Sequence, residues 1–252
     1  MPYQFLYLDY ETFSLVDLTV VGLDNYAKHP STGVSMLGWA LDDDEVEIWL
    51  PHLGPMPPKL LAALRDPGIK VAWHSNFEYT ITKYVTGPKY VDGGLDIPQS
   101  EFRDPIVLAH NLSLPGRLED VAEILKMKHL KDPRGDELKM MFCQPVSLGG
   151  EITLFGVSQP LFRDHISHPR EFAEYVEYCK QDVRAERDLW LRMRKIGFPE
   201  HEWQGWLLDQ KINAFGIPGR RDLAEKGLRL ALKFIGIQQT LLKEKTGLER
   251  RG

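Results

Sequence analysis

The sequence predicts an α/β protein, with a mixed central sheet flanked by helices and a helical C-terminal extension. Three observations predict it. Short apolar runs at residues 5–8, 34–41 and 69–73 have the length and composition of buried strands. The second run continues through the turn Asp42-Asp43-Asp44 into a third strand at 46–50, an antiparallel meander, whereas strand and helix alternate after Pro57 as they do in α/β units. Apolar residues then recur at spacings of three and four over residues 171–195, which marks a long helix with one buried face.

In order along the chain, the first strand ends in Asp9-Tyr10-Glu11. Residues two apart on a strand share a face, so Asp9 and Glu11 project together. Two carboxylates held that close repel unless a cation lies between them, and a hard divalent ion bound by oxygens meets that need. Acids that simply face water at a strand end are the alternative for an isolated D-x-E. Residues 14–31 read as irregular. Pro57-Pro58 opens a helix that reaches Arg65, and Pro67-Gly68 closes it. The strand at 69–73 runs into His74-Ser75-Asn76-Phe77-Glu78. There Ser75 or Asn76 caps a helix to about Tyr84 and Glu78 falls in its first turn. A third acid thus stands just past a strand end, the edge where ligands gather in open α/β sheets.

Residues 87–99 read as a loop, and Phe102-Arg103 as a short strand. Asp104 reads as a cap, with a metal role as the lesser alternative, and Pro105 as the first residue of the next helix. An amphipathic segment follows at 118–125. The polar turn Lys131-Asp132-Pro133-Arg134-Gly135 precedes a helix over 137–143, and 146–159 is the most loop-like interior segment. In the long helix Tyr178 and Asp182 are four apart and so neighbours on one face. Gly197-Phe198-Pro199 stops it. A helix from about Glu200 carries Trp203 and Trp206, whose helical spacing fits core packing better than base stacking. After a break at 213–219, a basic helix spans 223–245.

At 252 residues and 43% hydrophobic content, the chain can fill one sizeable core with an appendage. No apolar run approaches the roughly 20 residues of a membrane span, so no membrane partner is expected. Cys143 and Cys179 form neither a C-x-x-C pair nor a disulfide framework, and a reducing, cytoplasmic setting is the default expectation (the host cytoplasm for a viral protein). Net charge is −5, which excludes a generic polyanion binder. It is unevenly spread, −11 over 1–182 and +6 over 183–252. The histidines lack metal-binding spacing, and no P-loop, G-x-G-x-x-G or G-x-S-x-G motif is present.

The order Asp9-x-Glu11, then His74-x-x-Phe77-Glu78, then Tyr178-x-x-x-Asp182 resembles the DEDD superfamily of 3′–5′ exonucleases, in its tyrosine branch. More narrowly it is similar to the proofreading domain of bacteriophage-type family A DNA polymerases. The resemblance covers residues 1–195, with Asp104-Pro105 and Leu118-Glu119-Asp120-Val121-Ala122 as linking pieces. Leu208-Asp209-Gln210-Lys211-Ile212-Asn213-Ala214-Phe215-Gly216-Ile217 looks like the start of a polymerase domain. The implied fold is ribonuclease H-like, with an exonuclease domain at 1–197 and a helical extension at 198–252. Two departures stand out. Glu78 occupies a position where the family usually has Asp, and His74 stands where Asn is often found, with Asn76 two residues on.

The resemblance implies a two-metal hydrolysis of phosphodiester bonds with Mg²⁺ or Mn²⁺, two ions in all. Asp9 would bridge the ions, Glu11 and Asp182 would join it on the ion that activates water, and Glu78 would support the second. Tyr178 would orient the water, since a phenol of ordinary pKa near 10 is a poor base. Thr12, Leu15, His74 and Asn76 would meet the substrate. The implied partners are a single-stranded or frayed DNA 3′ end and a family A polymerase domain, in cis or in trans. RNA 3′-end trimming is the alternative with the same site, and an inactive DNA-holding module is the alternative without it.

Overall fold

The molecule is organised around one strand, β1 (Phe5–Phe13), the centre of a five-stranded sheet. The other strands are β2 (Gly33–Leu41), β3 (Glu47–Trp49), β4 (Ile69–Val71) and β5 (Phe102–Arg103), in the spatial order β3-β2-β1-β4-β5. β1 pairs antiparallel with β2, and β2 with β3; β4 runs parallel to both β1 and β5. The sheet is therefore mixed, as expected from the meander followed by strand–helix alternation. This computed structural model describes residues 3–127, 134–147, 152–153, 156–157, 161–216 and 219–247. The expected turn residues Lys131, Asp132 and Pro133 and the expected polymerase-like Ile217 lie outside them.

Eleven α-helices accompany the sheet among the described residues: α1 (Leu18–Val21), α2 (Leu23–Lys28), α3 (Pro58–Arg65), α4 (Ser75–Ile81), α5 (Gly87–Tyr90), α6 (Pro105–Asn111), α7 (Leu118–Ile124), α8 (Gly135–Cys143), α9 (Pro169–Met193), α10 (Glu200–Phe215) and α11 (Arg221–Thr246). Three regions expected to be loops contain structure among the described residues. Residues 87–99 open with α5, which continues from α4 through the wider turn Thr82–Thr86. Residues 14–31 hold α1 and α2, whose ends are set by the Asp17 side chain accepting from the Thr19 N–H and by Gly22 at φ 76° between them. Around 145–162 lie four strands of two or three residues each, paired as two small ribbons too short for a periodic signal.

Alternation along β1 sorts its side chains between two cores. Leu6, Leu8 and Tyr10 face one side with Leu37, Trp39, Leu60, Ile81 and Phe102. Phe5 and Tyr7 face the other with Val183, Leu189 and Trp190 of α9. Asp9 and Glu11 continue that second face, beneath α9. The helix can lie close there because Gly38, paired with Asp9, has no side chain: a Cβ at Gly38 would sit 2.8 Å from Cys179 Sγ and 2.9 Å from Val183 Cγ2. A bulge between Glu11 and Thr12 shifts the register just past the acids, and pairing resumes at Thr12 with Val34.

The chain separates into two compact units, Met1–Gln210 and Lys211–Gly252. The division falls inside α10, because Trp203 is buried against Phe198 (ring centroids 4.8 Å) and Trp190 (6.3 Å) and so belongs to the first unit. Both tryptophans follow the core-packing expectation; Trp206 packs edge-on against Trp203. In the second unit α11 exposes Leu230, Phe234, Ile237 and Leu241. No helix among the described residues is long and apolar enough to cross a membrane.

Candidate active site

Five carboxylates from three elements gather around the later half of β1, the central strand of the sheet. Asp9 and Glu11 come from β1, Glu78 from the first turn of α4, and Asp182 and Glu186 from one face of α9. Four of them are almost sealed from solvent: Glu11 and Glu78 are each 3% exposed, Asp182 8% and Glu186 2%. Burying charge on this scale without pairing is costly, and the titration behaviour reflects it. Burial first, then the neighbouring Glu11 and Asp182 carboxylates, push Asp9 up to about 8, against the opposing pull of Lys139. Burial and then Asp9 hold Glu78 well above the ordinary carboxylate range, and Glu186 is raised for the same two reasons.

Several of the buried oxygens lack a hydrogen bond, namely Asp9 Oδ2, Glu11 Oε1, Glu78 Oε2 and Glu186 Oε1. Their opposite oxygens are partly committed. Tyr175 Oη donates to Glu11 Oε2 at 2.7 Å, and the Trp73 N–H donates to Glu186 Oε2 at 2.9 Å. The cation present among the acids is a lysine. Lys139 Nζ, from α8, stands 3.5 Å from Glu11 Oε1, 3.9 Å from Asp182 Oδ2 and 5.1 Å above the Tyr178 ring. Burial acts to lower its pKa, but Glu11, Asp9, Tyr178 and Asp182 together hold it well above the usual lysine range.

Tyr178 is buried one turn before Asp182. Burial and then the Asp182 carboxylate raise its phenol far above the ordinary value, so it is a hydroxyl donor at neutral pH and not a base. Its ring is clamped. Tyr175 stacks on one side (centroids 6.3 Å, 13° between planes), and Gly135 lies against it so closely that a Cβ there would fall 2.0 Å from Tyr178 Cε2. Phe142 of α8 stacks in turn on Tyr175 at 5.1 Å, which docks the Lys139 helix onto α9.

Glu78 is positioned by a different acid. The expectation that Ser75 or Asn76 caps α4 is corrected: the cap residue is His74, without a side-chain bond of its own, and the capping carboxylate comes from Asp104. Asp104 accepts from the N–H groups of His74 (3.2 Å), Ser75 (3.0 Å) and Ile106 (3.0 Å), so it caps α4 and its own helix α6 together. Only its place at the end of β5, next to β4, makes this possible. Burial raises its carboxyl to about 6 despite those three bonds. His74 takes φ 65°, a left-handed conformation that costs a non-glycine residue about 1–3 kcal/mol.

The acids open onto a cleft of about 1060 Å³ lined by Asp9, Glu11, Glu78 and Lys139, together with Thr12, Leu15, His74 and Asn76. All four expected substrate contacts therefore lie on its wall. Thr12 Oγ1 is bonded to Tyr26 Oη at 2.9 Å, and Asn76 Oδ1 accepts from Gln99 Nε2 at 3.0 Å, which commits part of each. Phe77 is half-buried against the core and its exposed part lines the cleft. Tyr178 and Asp182 do not line the cleft; they stand behind Lys139. Sequence reasoning missed Lys139, Glu186 and Gly135. For Glu186 a signal existed, an acid four residues beyond Asp182 on the same face. For Lys139 and Gly135 there was none, since only the docking of α8 on α9 brings them here.

The donor set suits a hard divalent cation, being all oxygen and including buried carboxylate atoms without hydrogen bonds. No three His, Cys, Asp or Glu side chains among the described residues stand in ligating geometry. With Lys139 among the acids and Glu11 drawn to Tyr175, the carboxylates are gathered but not converged.

Comparison with known proteins adds one firm likeness. The chain is 33% identical over 230 residues to a protein described as a DNA polymerase from Bacillus phage SP02, a match covering 88% of this chain and 33% of the relative. The chain thus spans about a third of the length of that curated relative. No protein-family model matches. A solved structure described as the apo form of a nuclease aligns over 84% of each chain with a TM-score of 0.45 at 13% identity, too loose a likeness to carry an argument.

Proposed function

We propose that this chain is a divalent-metal-dependent 3′–5′ exonuclease of ribonuclease H-like fold, serving as the proofreading part of a DNA polymerase. The observation that carries this reading is the gathering of Asp9, Glu11 and Glu78 on the wall of one cleft, each with a buried oxygen that lacks a hydrogen bond, with Asp182 from a third segment beside them behind Lys139. Likeness to a phage DNA polymerase supports DNA as the substrate over RNA.

Asp9, Glu11 and Asp182 would hold one Mg²⁺ or Mn²⁺ ion, and Asp9 with Glu78 a second. Two such ions supply a nucleophile at neutral pH and charge relief on the leaving oxygen. The chain's own residues do the rest. Tyr175 fixes the Glu11 carboxylate through its hydroxyl. Tyr178, protonated and clamped between Tyr175 and Gly135, presents a fixed hydroxyl to orient the attacking water. Asp104 anchors the start of α4 and with it Glu78. Leu15, Thr12, His74 and Asn76 would receive the terminal nucleotide along the cleft wall.

The test is a 5′-labelled single-stranded DNA incubated with the protein and Mn²⁺ or Mg²⁺. Stepwise shortening from the 3′ end is expected, abolished by EDTA and reduced at least about 100-fold in Asp9→Ala/Glu11→Ala. Undiminished activity in that double variant would overturn the assignment.

A further inference from the structure

We propose that Lys139 is a built-in counter-cation of the acid cluster, which holds the metal-free site together and must leave it for divalent metal to bind. The inference rests on the metal-dependent reading above and extends it to a residue that the D-x-E and Y-x-x-x-D motifs do not include. Its ammonium contacts Glu11 Oε1 at 3.5 Å and Asp182 Oδ2 at 3.9 Å, the two acids assigned with Asp9 to the water-activating ion. Glu11 Oε1 is buried and makes no hydrogen bond, so this ion pair is what compensates it. A single oxygen cannot face an ammonium at that distance and a divalent ion at the same time without strong repulsion between the cations.

Lys139 is placed so that it can move. Its helix is anchored through Phe142 stacked on Tyr175, whereas its own side chain is 36% exposed and lines the cleft. Rotation of the side chain removes the ammonium from Glu11 Oε1 and from Asp182 Oδ2 without shifting α8. It also opens the way to Tyr178 and Asp182, which stand behind it. Lys139 thereby sets the affinity for metal: each ion that binds has to displace it, and the acids are spared bare repulsion when no metal is bound.

The experiment titrates Mn²⁺ alone into the 252-residue chain, by electron paramagnetic resonance of free Mn²⁺ and by calorimetry. It compares wild type, Lys139→Met and Lys139→Arg, and records melting temperature in EDTA and in Mn²⁺. Lys139→Met is expected to bind Mn²⁺ about five- to tenfold more tightly, since it removes two partly screened ion pairs and a competing charge. Its melting temperature should fall below wild type in EDTA and return to it in Mn²⁺. Lys139→Arg should stay near wild type in both. A merely structural lysine would instead lower the melting temperature equally with and without Mn²⁺. Equal Mn²⁺ affinity in wild type and Lys139→Met would overturn the counter-cation assignment and leave the metal site standing. No Mn²⁺ binding by either would overturn the metal-dependent reading itself, and this inference with it. Lys139→Gln carries the same expectations if Lys139→Met does not fold.

Discussion

Tyr178 shows how strictly one side chain is held. Its ring touches Gly135 at a distance that admits no Cβ, and it is buried under Tyr175 with nowhere to retreat. Gly135→Ala therefore has to move the ring or α8. Overpacking of this kind costs about 1–3 kcal/mol. We expect a lower melting temperature and a slower turnover in the proposed exonuclease reaction, with Mn²⁺ affinity close to wild type because none of the carboxylates sits on Gly135. Separate measurement of kcat and Mn²⁺ affinity checks this, and an Ala variant with wild-type kcat would show that the clamp does not matter. Nothing in the sequence around Gly135 announces the constraint; there it reads as one residue of a polar turn.

At the scale of elements, the decisive device is the double cap. α4 begins without a side-chain cap of its own and borrows Asp104 from the end of β5. Replacing a capping carboxylate typically costs about 1–2 kcal/mol, and here three N–H groups lose their acceptor. Asp104→Ala is therefore expected to destabilise by about 2–4 kcal/mol, read by denaturant titration, and to weaken Mn²⁺ binding by loosening Glu78. A loss no greater than that of an ordinary surface substitution would argue against the shared cap. The elements themselves were largely legible: β1 to β5, α3, α8 and α9 sit within a few residues of the expected runs, because apolar periodicity and Pro or Gly punctuation mark them locally. α1, α2, α5 and the small ribbons near 145–162 were not legible, since two to six residues carry too little periodicity to read.

For the whole molecule, the acid cluster couples folding to protons and, on the proposed reading, to divalent metal. The Asp9 pKa is raised from about 3.8 to about 8 by burial and by Glu11, and Glu78 and Glu186 are raised as well. The folded state then binds more protons than the unfolded chain between about pH 4 and 8, so metal-free stability is full below that window and is lost as pH rises through it. The melting temperature in EDTA should fall from pH 5 to pH 9. Mn²⁺ should bind more tightly over the same rise, because ligation requires ionised carboxylates, and should flatten or reverse the fall. A melting temperature in EDTA that does not change with pH would contradict the burial of these acids.

The sequence by itself determined the mixed α/β architecture, the shared face of Asp9 and Glu11, the helical neighbours Tyr178 and Asp182, and the position of Glu78 in a first turn. Each follows from local periodicity, which needs no knowledge of what lies across the fold. Only the tertiary structure decided that Lys139 enters the acid cluster, that Asp104 caps α4 as well as its own helix, and that Gly38 and Gly135 let α9 and Tyr178 come so close. These depend on contacts between segments dozens to more than a hundred residues apart. Such distances leave no periodic trace, because what selects the residue is the neighbour brought to it by folding.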